Sequence, residues 1–133
     1  MRYPTAIATL LGFAVTAVGP GTATVAVEAD AAVHGNQQGT VHGGFLAELA
    51  DAAIGTAHST LMEPGESFAS IDLRTVYVRP VWRERLLASA APAHAGLTIT
   101  HYRCDIIRAS DGKTVAEATS TVMTLRGDRA AGR

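Results

Sequence analysis

One long and unusually apolar helix constrains the fold of this 133-residue chain more than any other segment. From His42 to about Leu61, apolar side chains recur at the three- and four-residue spacing of an α-helix: Leu46, Leu49, Ala50, Ala53, Ile54, Ala57 and Leu61. They form one stripe, which leaves Glu48, Asp51 and Gly55 on the opposite side. The helix ends at Glu63-Pro64-Gly65-Glu66. Such a helix has to be covered by the rest of the chain.

The remaining segments show the patterns of β-strands. A short helical turn around Pro4 to Leu10 precedes a hairpin, roughly 11–18 and 22–29, and a polar loop over 30–39 leads to the long helix. After it, alternation and breaker residues predict strands over 68–79, 85–95, 98–108 and 113–126. We expect these four strands to form a meander, with an edge or a bulge at Pro92.

This order of elements predicts an α+β fold. A curved antiparallel β-sheet wrapped around one long central α-helix would bury the apolar stripe, and this arrangement is the hotdog architecture. The chain is long enough to bury a core without disulfides. No linker or repeat divides it, so we expect one domain over residues 1–133, with 127–133 as a frayed tail.

The N-terminus allows two interpretations. Arg2 followed by the apolar run 6–18 resembles a secretory signal. The turn residues Gly19-Pro20-Gly21 between two apolar segments are instead typical of a strand–turn–strand unit, which we favour. The run is also too short to span a membrane. Because the single cysteine, Cys104, cannot form an internal disulfide, we expect a reducing compartment, the cytoplasm.

Charge and motifs exclude several classes of function. The chain has 11 basic and 12 acidic residues and a net charge of −1, which argues against a nucleic-acid partner, and we expect no membrane partner. It contains no GxxxxGK[ST] phosphate loop, no HExxH, no paired cysteines and no GxSxG elbow. We therefore expect neither a metal nor an organic cofactor.

His42-Gly43-Gly44 opens the long helix with two glycines, which stabilise a helix poorly. At the first turn, however, glycines let a ligand approach backbone N–H groups that have no intrahelical acceptor. These donors lie at the positive end of the helix dipole and suit a developing oxyanion. A tight entry from loop to helix would require the same glycines, so this segment alone leaves both interpretations open.

Asp51 lies in the middle of this apolar helix, where aspartate is mildly unfavourable. It is either a general base or nucleophile acting on a carbonyl, or a solvated charge, and we interpret Glu48 as a helix-face charge. Nine helical residues span about 13.5 Å, so His42 and Asp51 of one chain cannot contact one carbonyl. Two antiparallel helices related by a two-fold axis would bring them together, which requires at least a homodimer with shared sites.

The spacing Asn36-x5-His42-Gly43-Gly44-x6-Asp51, followed by Ser70-Ile-Asp-Leu-Arg-Thr-Val-Tyr77-Val-Arg79-Pro80, resembles the hotdog-fold acyl-CoA thioesterases. Within them it is most similar to the branch of phenylacetyl-CoA and 4-hydroxybenzoyl-CoA thioesterases. The resemblance extends from Gly12 to about Leu125. It implies hydrolysis of an acyl-CoA, with an aromatic or medium-chain acyl group, to the free acid and CoA. Coenzyme A would then be part of the substrate and not a cofactor.

The resemblance implies a role for each catalytic candidate. Asp51 matches the catalytic carboxylate, and Gly43 matches the residue whose N–H polarises the thioester carbonyl, in a turn positioned by His42. Asn36 matches a residue that orients the carbonyl or the leaving group. Ser70 matches a serine that holds the hydrolytic water.

The resemblance also implies how the sites are shared and where the substrate binds. In the family, the first three motif residues come from one subunit and the carboxylate and serine from its partner, so we expect a homodimer and a dimer of dimers. Gly44, Gly55 and Arg79 are the expected substrate-binding residues, and Gly55 falls where another branch carries a threonine for the water. Arg79 belongs to a set of cations that could bind the CoA phosphates or be solvated: Arg79, Arg83, Arg85, Arg103, Lys113 and Arg126.

Two other functions remain as alternatives. A hotdog hydratase or dehydratase would carry an Asp-x4-His dyad after a different loop, and no such unit fits here. A non-catalytic acyl-CoA-binding hotdog module would usually bring a DNA-binding segment, for which the chain has no basic helix. Cys104 alternates with Tyr102 and Ile106 and is predicted to be a core thiol, and we interpret His58 and His94 as structural.

Overall fold

The structure is a computed structural model that describes all residues, 1–133. Its helices are α1 (Ala6–Leu11), α2 (Ala31–His34) and α3 (Gly43–Ser59), followed at the C-terminus by a 3-10 helix (Gly127–Ala130). Its strands are β1 (Ala14–Gly19), β2 (Thr22–Asp30), β3 (Ser67–Tyr77), β4 (Arg83–Ala95), β5 (Ile99–Arg108) and β6 (Thr114–Leu125).

All strands join one antiparallel sheet in the order β1-β2-β4-β5-β6-β3, and this sheet curves around α3. The helix packs against every strand, and Leu49, Ala50, Ala53, Ile54 and Ala57 of its apolar stripe are fully buried. Burying this much apolar surface is the main stabilisation of the fold. The predicted α+β hotdog architecture is confirmed.

The predicted meander of four strands is wrong for its first member. β4, β5 and β6 are consecutive neighbours, but β3 pairs with β6 and not with β4, while β4 pairs with β2. Pro80 has no N–H to extend the ladder, and the chain crosses from the β6 edge, where Val78 bonds Val115, to the other side, where Val41 bonds Val81. The crossing makes β3 an edge strand.

The first hairpin is confirmed, with β1 and β2 joined at Gly19-Pro20-Gly21, where Gly21 has a φ of +72°. The polar loop contains the one-turn helix α2. Pro92 lies beside a β-bulge between Pro92 and His94, as predicted. The segment 127–133 starts with the 3-10 helix, whose Ala130 is buried.

None of the helices is both long enough and apolar enough to cross a membrane.

Two polar core residues have structural roles. Cys104 is buried in the core, where burial and the nearby Asp105 charge raise the pKa of its thiol to about 12, so the prediction of a core thiol is confirmed. His58, in the last turn of α3, is buried with both ring nitrogens hydrogen-bonded, to the Tyr102 hydroxyl at 2.8 Å and the Thr124 hydroxyl at 2.9 Å. His58 therefore ties the helix to β5 and β6.

Candidate active site

The first turn of α3 presents one backbone amide that has no acceptor in the chain. His42 caps the helix, and its Nδ1 accepts a hydrogen bond from the Gly44 N–H at 2.9 Å. The amides of Phe45 and Leu46 donate to the His42 carbonyl. The Gly43 N–H donates to no group of the chain. It is therefore available to a ligand, at the positive end of the helix dipole.

Tyr77, the last residue of β3, packs over this turn. Its hydroxyl donates to the Gly43 carbonyl at 2.9 Å. A Cβ at position 43 would lie 2.9 Å from the Tyr77 ring carbon Cζ, which is closer than unforced carbon atoms approach. A side chain at position 43 would force the tyrosine ring to shift, so glycine allows the ring to pack directly over this turn.

Asn36 organises the loop that leads to α3. Its Oδ1 accepts hydrogen bonds from the amides of Gln38 at 2.9 Å and Thr40 at 3.1 Å, and its Nδ2 donates to the Thr40 hydroxyl at 3.0 Å. Because an amide nitrogen carries two hydrogens, one N–H of Asn36 remains for a ligand.

Three of the predicted residues, Asn36, Gly43 and Arg79, line the same cavity of about 400 Å³. The Arg79 guanidinium is anchored beside it by a 2.7 Å bond from Nη1 to the Thr114 carbonyl. The residues that carry a free backbone N–H, a side-chain amide and a cation thus line one cavity. This set of donors suits a polarised carbonyl and an anionic group. We name it the donor cavity.

Asp51 lies on the wall of a second cavity, of about 620 Å³, which we name the carboxylate cavity. Glu48 and Gly55, one turn before and one turn after Asp51, also line it. Most of its other lining is apolar and includes Phe13, Ala14, Val15, Val25, Ala52 and Phe68. A carboxylate beside such a cavity faces a low local dielectric.

Burial raises the pKa of Asp51 above its usual range. The pKa of Glu48 is also raised, first by burial and then by the Asp51 charge. A raised carboxyl pKa brings a general base closer to the pH at which it works. In the carboxylate cavity, the Asp51 carboxylate is therefore better suited to proton transfer than a fully solvated carboxylate would be.

Gly55 and Ser70 are placed differently with respect to Asp51. A Cβ at Gly55 would meet the Phe68 ring at an ordinary 3.7 Å, so the glycine leaves free space beside the carboxylate without a steric need for it. Ser70 is exposed, on the edge strand, and lines neither cavity. It projects from the same side of β3 as the cavity-lining Phe68, because side chains two apart share a face.

Most of the remaining basic candidates are paired on the surface of the same chain. Arg83 lies near Asp30, Arg85 binds Glu28 at 2.8 Å and Arg126 binds Glu66. None of these three lines the donor cavity, which only Arg79 of the six cations reaches. Arg79 is thus the basic candidate that lines the same cavity as Gly43.

Five of the predicted residues form two groups in one chain, whereas His42 and Gly44 line a third cavity, of about 420 Å³, together with Glu48. Asn36, Gly43 and Arg79 meet in the donor cavity, whereas Asp51 and Gly55 meet in the carboxylate cavity. Positions 43 and 51 are separated by about 12 Å of helix. Each chain therefore holds one donor half and one carboxylate half that do not face each other.

Sequence reasoning missed two contributors. The contact of Tyr77 with Gly43 joins residues 34 positions apart, and the tyrosine entered the motif without a role. The N-terminal residues Tyr3 and Ile7 line the carboxylate cavity, although no pattern linked them to Asp51. Both contributions are tertiary contacts. The Tyr-x-Arg-Pro spacing was the one sequence signal that pointed to Tyr77, and it was weak.

Comparison with known proteins gives a consistent picture. The sequence model of the thioesterase superfamily matches residues 38–115. A Deinococcus radiodurans protein whose name assigns it to the esterases is 30% identical over 122 residues, covering 90% of this chain and 81% of that protein. Acyl-coenzyme A thioesterase 13 of Mus musculus is 30% identical over 89 residues, covering 66% of this chain and 63% of its own. For a Halobacterium salinarum relative, 38% identical, the match spans about half of the relative's length (52%).

Solved structures agree with the fold. A mutant of the phenylacetic acid degradation protein PaaI of Thermus thermophilus superposes with a TM-score of 0.80 at 34% identity, covering 88% of this chain and 96% of that one. The E. coli PaaI protein superposes with a TM-score of 0.84 at 26% identity, covering 93% and 87%.

Proposed function

This chain belongs to the thioesterase superfamily, a family of thioester hydrolases, and we propose that it hydrolyses acyl-CoA thioesters to a free acid and coenzyme A. The observation that supports the proposal most is the combination within one fold of a free Gly43 N–H and a half-buried Asp51 beside an apolar cavity. Polarisation of a carbonyl and activation of water are the two needs of acyl transfer to water.

We propose that each active site combines the donor half of one subunit with the carboxylate half of another. The distance along α3 separates the two halves within a chain, so a second copy has to supply the missing one. The edge strand β3 supports such an association, because its outer backbone groups have no partner strand. Its side chains Ile71, Leu73 and Val76 are 56%, 36% and 44% exposed, so apolar surface lies along this free edge and would be buried by a second copy.

In the proposed reaction, the carbonyl oxygen of the thioester accepts a hydrogen bond from the Gly43 N–H, while His42 and Tyr77 hold the first turn of α3 in place. Asp51 from the second copy either takes a proton from a water that attacks the carbonyl carbon or attacks it directly. In the first route a C–O bond to the water oxygen forms, the C–S bond breaks and the proton taken by Asp51 passes to the departing CoA sulfur. In the second route the C–O bond forms to Asp51 as the C–S bond breaks, and water then attacks the resulting anhydride, which releases the acid, regenerates the Asp51 carboxylate and supplies the proton for the CoA thiolate. Asn36 orients the carbonyl or the leaving group, and Ser70 positions the water.

The two cavities support an assignment of the substrate's parts. The acyl group, aromatic or of medium length, occupies the apolar carboxylate cavity, whose 620 Å³ lies within the size range of small-molecule sites. The CoA portion extends past the donor cavity, where Arg79 is placed to contact a phosphate. These roles use only side chains and backbone of the protein, so we propose that no metal or organic cofactor is needed. A dimer of dimers and a cytoplasmic location remain parts of the proposal.

The experiment is a panel of acyl-CoAs with release of CoA followed by a thiol reagent. We expect turnover by the native protein and a loss of at least about a hundredfold in kcat for Asp51→Asn, with binding retained. Turnover unchanged in that variant would contradict the role of Asp51. Binding without CoA release by the native protein would favour the non-catalytic module, and loss of enoyl-CoA absorbance without CoA release would favour a hydratase.

A further inference from the structure

The N-terminal segment from Tyr3 to Leu11, which we name the strap, forms one wall of the carboxylate cavity. Tyr3, Thr5 and Ile7 all line this cavity opposite the residues of α3. The strap lies outside residues 38–115, which match the sequence model of the family. The strap is therefore not part of the segment that identifies the family.

The strap is held against the rest of the fold by few contacts. Its helix α1 has no fully buried residue, although Ala8 and Leu11 pack against the core. The Thr5 hydroxyl caps α1 by accepting a hydrogen bond from the Ala8 amide at 3.2 Å. At its other end Gly12, with a φ of +81°, reverses the chain into β1. The strap thus has local order but weak attachment to the rest of the fold. A change of one of its side chains can therefore alter the wall of the cavity.

One hydrogen bond fastens the start of the strap to the far end of α3. The Tyr3 and Ser59 hydroxyls lie 2.7 Å apart. The Ser59 hydroxyl donates to the Thr56 carbonyl at 2.7 Å, so its hydrogen is already used and Tyr3 has to be the donor. Thr56 itself lines the cavity. The bond therefore closes the cavity on the side away from the start of α3.

We infer that the strap determines which acyl groups the enzyme accepts, with Ile7 limiting their size and the Tyr3–Ser59 bond holding the wall in place. This inference rests on the proposed function. The reacting carbonyl carbon has to lie beside Asp51, and CoA leaves towards the donor half supplied by the second copy. We therefore place the acyl group in the carboxylate cavity, one wall of which is the strap.

The test is the dependence of kcat/KM on acyl size, from acetyl-CoA to dodecanoyl-CoA and including phenylacetyl-CoA. Ile7→Trp adds bulk to the cavity wall, and we expect kcat/KM for acyl groups of eight or more carbons and for phenylacetyl-CoA to fall by at least about tenfold relative to kcat/KM for acetyl-CoA. Ile7→Ala should shift the preference to larger groups. The matched control is Leu10→Trp, since Leu10 lies on the same helix, is 78% exposed and does not line the cavity.

The Tyr3–Ser59 hydrogen bond is tested by Tyr3→Phe, which keeps the ring and removes the donor. We expect a relative gain of about threefold or more for the largest acyl groups over acetyl-CoA, because the wall yields more easily. Profiles of Ile7→Trp and Ile7→Ala that match the native profile within twofold would overturn the inference. Binding of S-alkyl-CoA thioethers, which cannot be hydrolysed, distinguishes failure of the inference about the strap from failure of the proposed function. If Ile7→Trp weakens binding of long thioethers more than of short ones, the inference about the strap is supported even if the protein cleaves no acyl-CoA.

Discussion

At position 43, close packing against a tyrosine ring and a chemical role coincide in one glycine. The Tyr77 ring occupies the space of a side chain, the Tyr77 hydroxyl holds the carbonyl, and the amide is left without an acceptor. His42 before it has φ −64° and ψ 136°, an extended conformation that a following proline would also prefer. Proline is well tolerated at the first position of a helix, because the N–H there makes no intrahelical bond.

This geometry allows the donor to be removed separately from the steric effect. Gly43→Ala and Gly43→Pro both place a Cβ against the Tyr77 ring, but only proline lacks the N–H. We expect kcat of the proline variant to fall about 100- to 1,000-fold below that of the alanine variant, as for loss of one oxyanion donor. The measurement is steady-state CoA release, with helix content checked by circular dichroism. Equal kcat values in the two variants would show that the N–H is not the donor.

The charge of Asp51 is expected to weaken the fold while it serves the reaction. Because burial raises its folded-state pKa, the folded protein binds this proton more tightly than the unfolded chain does. Stability therefore falls as pH rises through the window between the usual pKa of about 3.9 and the raised value. Asp51→Asn should raise Tm at pH 7, and the gain should shrink at pH 4. Thermal unfolding at both pH values checks this.

Asp111 provides a control of opposite sign. Its pKa is lowered, first by the hydrogen bond from the Lys113 backbone and then by the bond and charge of Arg108. A carboxylate with a lowered folded-state pKa stabilises the fold above its usual pKa and loses this effect as pH falls. Asp111→Asn should therefore lower Tm slightly at pH 7. A rise in Tm for both variants would indicate a general charge effect and not burial of Asp51.

At the scale of elements, α3 carries both halves of the site and depends on its C-terminal attachment. Burial lowers the pKa of His58, against a smaller opposing effect of the Glu66 charge. The ring is neutral in the fold and bonded on both sides. Since the unfolded chain binds a proton near pH 6.5 and the folded protein does so only at lower pH, stability falls as pH decreases below about 6.5.

We expect His58→Leu to lower the free energy of unfolding by about 1–3 kcal/mol at pH 7, because the Tyr102 and Thr124 hydroxyls lose their buried partner. Between pH 7 and pH 5, the stability of the variant should also fall less than that of the native protein. Urea unfolding at several pH values measures both effects. His94→Gln is the matched control, since His94 is exposed on β4. An unchanged pH dependence in His58→Leu would mean that another group titrates.

The elements differed in how far the sequence predicted them. The apolar stripe placed α3 within two residues at either end, because a helix buried on one face repeats every 3.6 residues. The position of β3 was not predictable from its pattern. The expected meander placed it beside β4, but it pairs with β6 at the edge of the sheet, where Ile71, Leu73 and Tyr77 are exposed after a bulge between Ser70 and Asp72. Alternation identifies a strand without identifying its neighbours.

At the scale of the whole molecule, sharing of sites between copies can be tested by mixing two inactive variants. Asp51→Asn lacks the carboxylate and Gly43→Pro lacks the donor. In a heterodimer with shared sites, one site holds both defects and the other holds neither, so about half of the native activity should return. Co-expression with two different tags and sequential purification isolates the mixed species. If each site lay within one chain, the mixed oligomer would be no more active than its parents.

The sequence by itself determined the elements and the chemistry that they could carry. The period of the helix, the breaker residues between strands and the spacing of Gly43 and Asp51 follow from local geometry, which the chain specifies residue by residue. Tertiary structure alone decided that Tyr77 packs on Gly43, that β3 lies at the edge and that Tyr3 and Ile7 wall the cavity of Asp51. These contacts join residues 34 to 58 positions apart, and they form because burying the apolar face of α3 folds the chain around it.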